Sequence, residues 1–300
     1  MTKDRKSPAA LWRAGLGAVL ATAALLGCGS FEEQQRKWIF QPSKETWRAG
    51  ASAAEGMEDV WIDFHSAASG TPARLHGLWL AQQNADAPVL LYLHGARWDV
   101  RGSAPRMRRM HELGFSVLGI DYRGFGRSTE ALPSELMAYE DARAAWDWLA
   151  QKHPTAGRYI FGHSLGGAIA VQLASEAGNE LQGLMLEGTF TSIPAVFDTM
   201  KWGWLPLGPF ITQRFDSASR IAKVKAPVLV VHGSADRLIR PELGQQLFEQ
   251  VKAEKKKWLL IEGGSHHNTN ALGQAQYRQA LAELFGLGAK ARGGAAAALH

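Results

Sequence analysis

The strongest constraint in this chain is an alternation. From Val89 onward, short apolar runs take turns with longer segments whose apolar residues recur every three or four positions. The runs are Val89 to Leu93, Phe115 to Ile120, Tyr159-Ile160-Phe161, Leu184-Met185-Leu186, Val228 to Val231 and Trp258 to Ile261. They are mostly continuous rather than period-two, as strands covered on both faces must be. Between them, Leu136, Tyr139, Ala142, Trp146 and Leu149 mark one helical stripe. Ile169, Leu173 and Ala177 mark a second, and Leu243, Leu247 and Val251 a third. Such alternation predicts an α/β fold with a mostly parallel central sheet and helices on both faces. Two earlier runs, Val60 to Phe64 and Leu78 to Leu80, have no helical pattern between them, so an antiparallel hairpin is expected at the sheet's start.

One stretch interrupts the pattern. Between Thr191 and Arg220 stand Ile193, Phe197, Trp202, Trp204, Phe210 and the prolines 194, 206 and 209. That composition suits neither a strand nor one long helix. It is expected to form a short lid, residues 193–216, over the carboxyl ends of the strands, where open α/β sheets bind ligands. Trp202, Trp204 and Phe210 are candidates for the substrate pocket or for the lid's own core.

The chain has 300 residues, 46% of them hydrophobic and 20% charged, enough apolar material for one sizeable core. Its one cysteine excludes a disulfide framework and a cysteine-based zinc cluster. Of the formal net charge of +5, +3 comes from Lys3, Arg5, Lys6 and Arg13 against Asp4, leaving +2 from Cys28 onward. So small a charge makes no case for nucleic acid as a partner. No His-Glu-x-x-His, phosphate loop or dinucleotide fingerprint is present, so neither a metal nor a cofactor is expected. The adjacent His266-His267 pair lacks the further ligands that an ion needs.

The basic residues at the start precede a small apolar run, Leu16 to Leu26, that breaks at Gly27-Cys28-Gly29-Ser30. That run is shorter than the roughly 20 residues that span a bilayer, and it reads as an export signal. Because Cys28 falls where cleavage belongs, the segment resembles a bacterial lipoprotein signal. The resemblance implies a signal peptide at 1–27, lipidation of Cys28 and attachment to a membrane. Gly29 resembles the residue found in lipoproteins held on the periplasmic side of the outer membrane. An uncleaved anchor is the alternative. Residues 28–55 show no clear period and are expected to form a lipid-anchored tether. The folded domain is expected over 56–288, and 289–300 as a loose tail.

The chemistry centres on Gly162-His163-Ser164-Leu165-Gly166. This Gly-x-Ser-x-Gly lies between a predicted strand, Tyr159 to Phe161, and an alanine-rich helix from Leu165. A serine on that sharp turn has an exposed hydroxyl at the positive end of the helix. In this context the chain resembles the α/β-hydrolase superfamily over roughly residues 58 to 288. His94-Gly95 resembles its oxyanion loop, which implies that the backbone N–H groups of Ala96 and Leu165 hold a developing oxyanion. Asp121-Tyr122-Arg123-Gly124-Phe125-Gly126-Arg127-Ser128 resembles a structural turn of the same family. Asp236 follows one late strand and His266 the last. By the resemblance these are the acid and base of a triad with Ser164, in the superfamily's order Ser…Asp…His. Glu187 is the rival acid and His267 the rival base, while His94, His163 and His232 are expected to be turn or packing residues. The short lid and Arg214-Phe215-Asp216-Ser217 resemble the compact branch with peptidase-like and depalmitoylase-like members. The activity implied is hydrolysis of carboxylic esters or thioesters of a small or acylated substrate, through an acyl-enzyme. A peptidase or acyltransferase with the same triad, or a silent binding module, are the alternatives.

Overall fold

The computed structural model describes residues 29, 31–200 and 203–287. Eight strands form one sheet in the order β1-β2-β4-β3-β5-β6-β7-β8. β1 (Glu58–His65) and β2 (Pro72–Leu80) make the expected hairpin, and β2 also runs antiparallel to β4 (Ser116–Ile120). β3 (Val89–Leu93), β5 (Arg158–His163), β6 (Leu181–Glu187), β7 (Val228–Gly233) and β8 (Lys256–Ile261) continue the sheet in parallel. This is the α/β-hydrolase fold, with flanking helices on a mostly parallel mixed sheet.

The continuous runs divide by residue parity, because successive strand side chains point to opposite faces. Val89, Leu91 and Leu93 enter one core, with Trp146 and Leu149 of α4 (Glu135–Lys152) and Ile169 and Leu173 of α5 (Leu165–Ala177). Leu90 and Tyr92 enter the other, with Met107 and Met110 of α3 (Ala104–Glu112) and Tyr277 and Leu281 of α10 (Gln274–Phe285). The two-sided reading fails at β8. An edge strand has one neighbour, and its Leu260 is 49% exposed. Leu136, assigned to a buried stripe, is 64% exposed at the start of α4.

The larger departure lies ahead of β1. Where a tether was expected, residues 31–40 form a helix, α1, and Arg48–Ala54 form α2. Ile39 and Phe40 of α1 are buried in the main core, with the Phe40 ring edge-on to Phe215. The backbone beyond α1 is tied down as well. The Phe40 carbonyl accepts from the Arg97 amide, that of Ser43 from Gly126 and that of Glu45 from Asp99. Ile39, Phe40 and these backbone bonds therefore anchor this stretch despite its polar composition. The remaining helices are α6 (Ile193–Asp198), α7 (Ser217–Ile221), α8 (Pro241–Glu249) and α9 (Thr269–Leu272). Within 193–216, α6 buries Ile193 and Val196, and a 3-10 turn follows at Gly208–Phe210.

Candidate active site

Parallel register brings the carboxyl ends of the central strands level: His163 pairs with Glu187, and Glu187 with Val231. The turn from β5 into α5 is sharp enough to force Ser164 to φ 56° and ψ −124°. A left-handed backbone at a non-glycine residue is a strained conformation held by its surroundings. The Ser164 amide donates to the Glu187 carbonyl at 2.9 Å, and Thr189 Oγ1 donates to the Ser164 carbonyl at 2.9 Å. The flanking glycines allow the close approach. A Cβ on Gly162 would collide with the Gly166 carbonyl, and one on Gly166 with the carbonyls of Leu93 and His94.

Three side chains then line up. Ser164 Oγ lies 3.0 Å from His266 Nε2, and His266 Nδ1 lies 2.7 Å from Asp236 Oδ2. Asp236 sits on the turn after β7, where its other oxygen accepts the amides of Leu238 and Ile239, both at 2.9 Å. Burial alone would raise its carboxyl pKa. Hydrogen bonds from His232 and His266, and the pull of the His266 charge, outweigh burial and hold it well below the usual carboxylate range. Asp236 is therefore a fixed anion beside one imidazole nitrogen while the serine hydroxyl faces the other.

The rivals lie elsewhere. Glu187 accepts from Arg106 Nε at 2.8 Å and Tyr277 Oη at 2.5 Å, and has no bond to His266. His267 turns outward, its ring 5.5 Å from that of His266. Arg106 had no motif to mark it. Its guanidinium crosses from Glu187 to the carbonyls of His266 and His267, at 3.0 and 3.1 Å. His163 Nε2 donates to the same His266 carbonyl at 3.0 Å. Burial first, then the charge of Arg106, keeps His163 neutral with a pKa well below 6.5. His163 thus braces the His266 backbone, while His232 touches Asp236 at 3.4 Å and donates to the Ile239 carbonyl at 2.9 Å. His94, also kept neutral by burial, packs against Tyr122 and Phe125.

Beside the serine, a Cβ built on Gly95 would stand 3.0 Å from Ser164 Cβ, so the 94–98 loop passes directly over the nucleophile. Among the described residues, the amides of Ala96 and Leu165 have no backbone acceptor outside regular helix and strand pairing. Trp204 and Phe210 are 74% and 62% exposed. Trp202 and Cys28 lie outside the described residues, as does 1–27. Among the described residues no cluster of three or more His, Cys, Asp or Glu has metal-binding geometry.

A nucleophilic serine on a strand-to-helix elbow, with histidine and aspartate from later strand ends, defines a serine-hydrolase site on an α/β-hydrolase frame. Within that class the chain belongs to the family described as serine aminopeptidase, S33, which it matches over residues 84–212 and 210–271. An uncharacterized protein of Mycobacterium tuberculosis is 32% identical over 260 residues, covering 85% of this chain and 89% of the relative. The lysophosphatidylserine lipase ABHD12 of Danio rerio is 30% identical over 208 residues, 60% of this chain and 54% of that protein. Among solved structures, Est1E of Butyrivibrio proteoclasticus with bound ferulic acid superposes with a TM-score of 0.62 at 18% identity, covering 71% of this chain and 96% of that one.

Proposed function

We propose that the chain hydrolyses carboxylic ester or thioester bonds through an acyl-enzyme on Ser164. The observation that carries this is the unbroken line from Asp236 through His266 to Ser164 Oγ, at 2.7 and 3.0 Å. His266 Nε2 takes the hydroxyl proton as Oγ attacks the carbonyl carbon. Asp236 keeps the other imidazole proton on Nδ1 and stabilises the imidazolium. The negative charge moves to the carbonyl oxygen, where the amides of Ala96 and Leu165 receive it. The tetrahedral centre then expels the alcohol or thiol, which leaves with the proton from His266. Water attacks the acyl-enzyme by the same route and frees Ser164.

A lipase among the relatives, and Est1E with bound ferulic acid and the Pyrococcus furiosus esterase Pf2001 among the structural neighbours, support small or acylated esters as substrates. The family's description as serine aminopeptidase supports amide cleavage as the second reading. The test labels purified protein with a fluorophosphonate and screens esters, thioesters and aminoacyl amides of graded length. Label on Ser164 with turnover of esters or thioesters is expected. Label on Ser234 or Ser265, or no label at all, defeats the assignment, and turnover of amides alone selects the peptidase.

The same reading takes residues 1–27 as an export signal and Cys28 as the lipidated residue of an exported, membrane-attached protein. Support comes from the basic start, the short apolar run and the position of the only cysteine. Cys28→Ala should leave a precursor that keeps its basic N-terminus. An unmodified Cys28 by intact mass in wild-type membranes would exclude lipidation.

A further inference from the structure

Helix α1 carries Phe31, Gln35 and Trp38 on one face, since positions i, i+4 and i+7 align along a helix. Phe31 and Trp38 are about half exposed. Gln35 fastens that face to the segment after α6. Its Nε2 donates to the Phe210 carbonyl at 3.0 Å, and its Oε1 accepts the Thr212 amide at 3.0 Å. Next to it, Gln213 reaches Glu32 at 3.4 Å and accepts the Glu135 amide at 2.7 Å, which brings the start of α4 alongside. These bonds hold the three pieces side by side, and the pieces carry the exposed apolar side chains Phe31, Trp38, Leu136, Trp204, Leu207 and Phe210. Scattered apolar residues on a surface need no explanation, whereas a gathered set marks a partner.

The chain itself names that partner. Phe31 follows Cys28 by three residues and the apolar run by five, and an extended chain spans at most about 3.6 Å per residue. Phe31 therefore stays within roughly 11 Å of a lipidated Cys28. A folded domain of this length has a radius of gyration of about 19 Å, so the link is too short for it to tumble freely. The side bearing Phe31 has to meet the membrane. Tryptophan and phenylalanine are the side chains that settle at a bilayer's headgroup boundary.

We propose that this face docks onto a lipid bilayer, holding the domain against the surface with the catalytic serine beside it. The last residue of α1 accepts the Arg97 amide of the loop over Ser164, so the helix that bears the docked face is joined directly to the loop beside the site. The substrate class that follows is an ester whose acyl chain resides in the membrane. The inference rests on the anchor and acyl-enzyme readings above.

The test uses the full chain reconstituted into phosphatidylcholine vesicles brominated near the headgroup. Wild type should float with the vesicles, and its tryptophan fluorescence should be quenched. Trp204→Phe should remove part of that quenching, and Trp61→Phe, on the edge strand β1, should not. The triple variant F31S/L136S/L207S should lose roughly tenfold or more in kcat/KM on a monoacylglycerol dispersed in the vesicles, yet stay within about twofold on a soluble acetyl ester. A wild type that fails to float overturns the proposal together with the anchor. One that floats while both tryptophan variants quench alike overturns the face alone. So does a triple variant that keeps its activity on the vesicle ester, or a dimer that forms in place of quenching and is lost in that variant. If wild type cleaves neither ester, the acyl-enzyme reading and the substrate class fall together, and quenching still decides the docking.

Discussion

Replacing Arg106 by methionine tests whether the base is held by a buried charge. The Arg106 side chain is 11% exposed and its partner Glu187 only 1%. Removing the cation leaves the carboxylate buried with the Tyr277 hydroxyl as its one remaining side-chain donor. Breaking a buried pair from one side costs about 3–5 kcal/mol. For a chain of this size that lowers the Tm by roughly 6–20 °C. The carbonyls of His266 and His267 lose their shared donor as well, so the loop presenting the imidazole loosens. kcat on a soluble ester should fall by about tenfold or more with KM little changed. Glu187→Leu alone strands the arginine, whereas Arg106→Met/Glu187→Leu removes both charges and should recover part of the loss. Urea unfolding of the four proteins gives a coupling energy, expected at about 2 kcal/mol or more. Additive single effects, with coupling below about 0.5 kcal/mol, would refute the reasoning, because an isolated surface pair behaves that way.

His266→Ala should lower kcat on a simple ester by roughly 10³ or more, and His267→Ala by less than about tenfold, provided circular dichroism finds both folded; the opposite ranking moves the base to His267. Asp236→Asn should cost far more activity than Glu187→Gln, since only Asp236 touches the imidazole; equal losses in folded variants would contradict this. His76 lies between Asp121 at 2.9 Å and Asp59 at 2.8 Å. Burial would lower its pKa, but the hydrogen bonds and charges of the two carboxylates outweigh burial and raise it above 6.5. Its stabilising share is complete below the unfolded value of about 6.5 and is lost as pH rises through the folded one. The Tm advantage of wild type over Asp59→Asn should therefore shrink as pH rises from about 6 to 9, and an advantage that grew over that range would reverse the sign.

Strands and the elbow were legible because their signals are local. Each core strand writes its burial into three to six consecutive residues, and Ser164, Asp236 and His266 each follow closely on such a run. Long-range support leaves no local trace. No sequence motif marks Arg106, and only the packing of α3 beside the His266 loop gives it its role. The buried Phe40 lies in a polar stretch without period, and its partners Phe125 and Phe215 are far along the chain. Composition likewise marked Trp204 and Phe210 as apolar but not which way they face.

The clamp on the base also dictates when the molecule becomes competent. Arg106 is 160 residues ahead of the carbonyl it holds, and Ser164 is 102 ahead of its histidine. Tyr277, which fastens Glu187, lies on the last helix described. A nascent chain emerges from the ribosome N-terminus first, so Ser164, the 94–98 loop and Arg106 are all out before the His266 imidazole. Until the final strand and helix leave the exit tunnel, the serine has no base and the arginine nothing to brace. Synthesis itself therefore keeps the unfinished polypeptide from completing the Asp236–His266–Ser164 line, and the proposed activity arrives only once the His266 loop and α10 have packed.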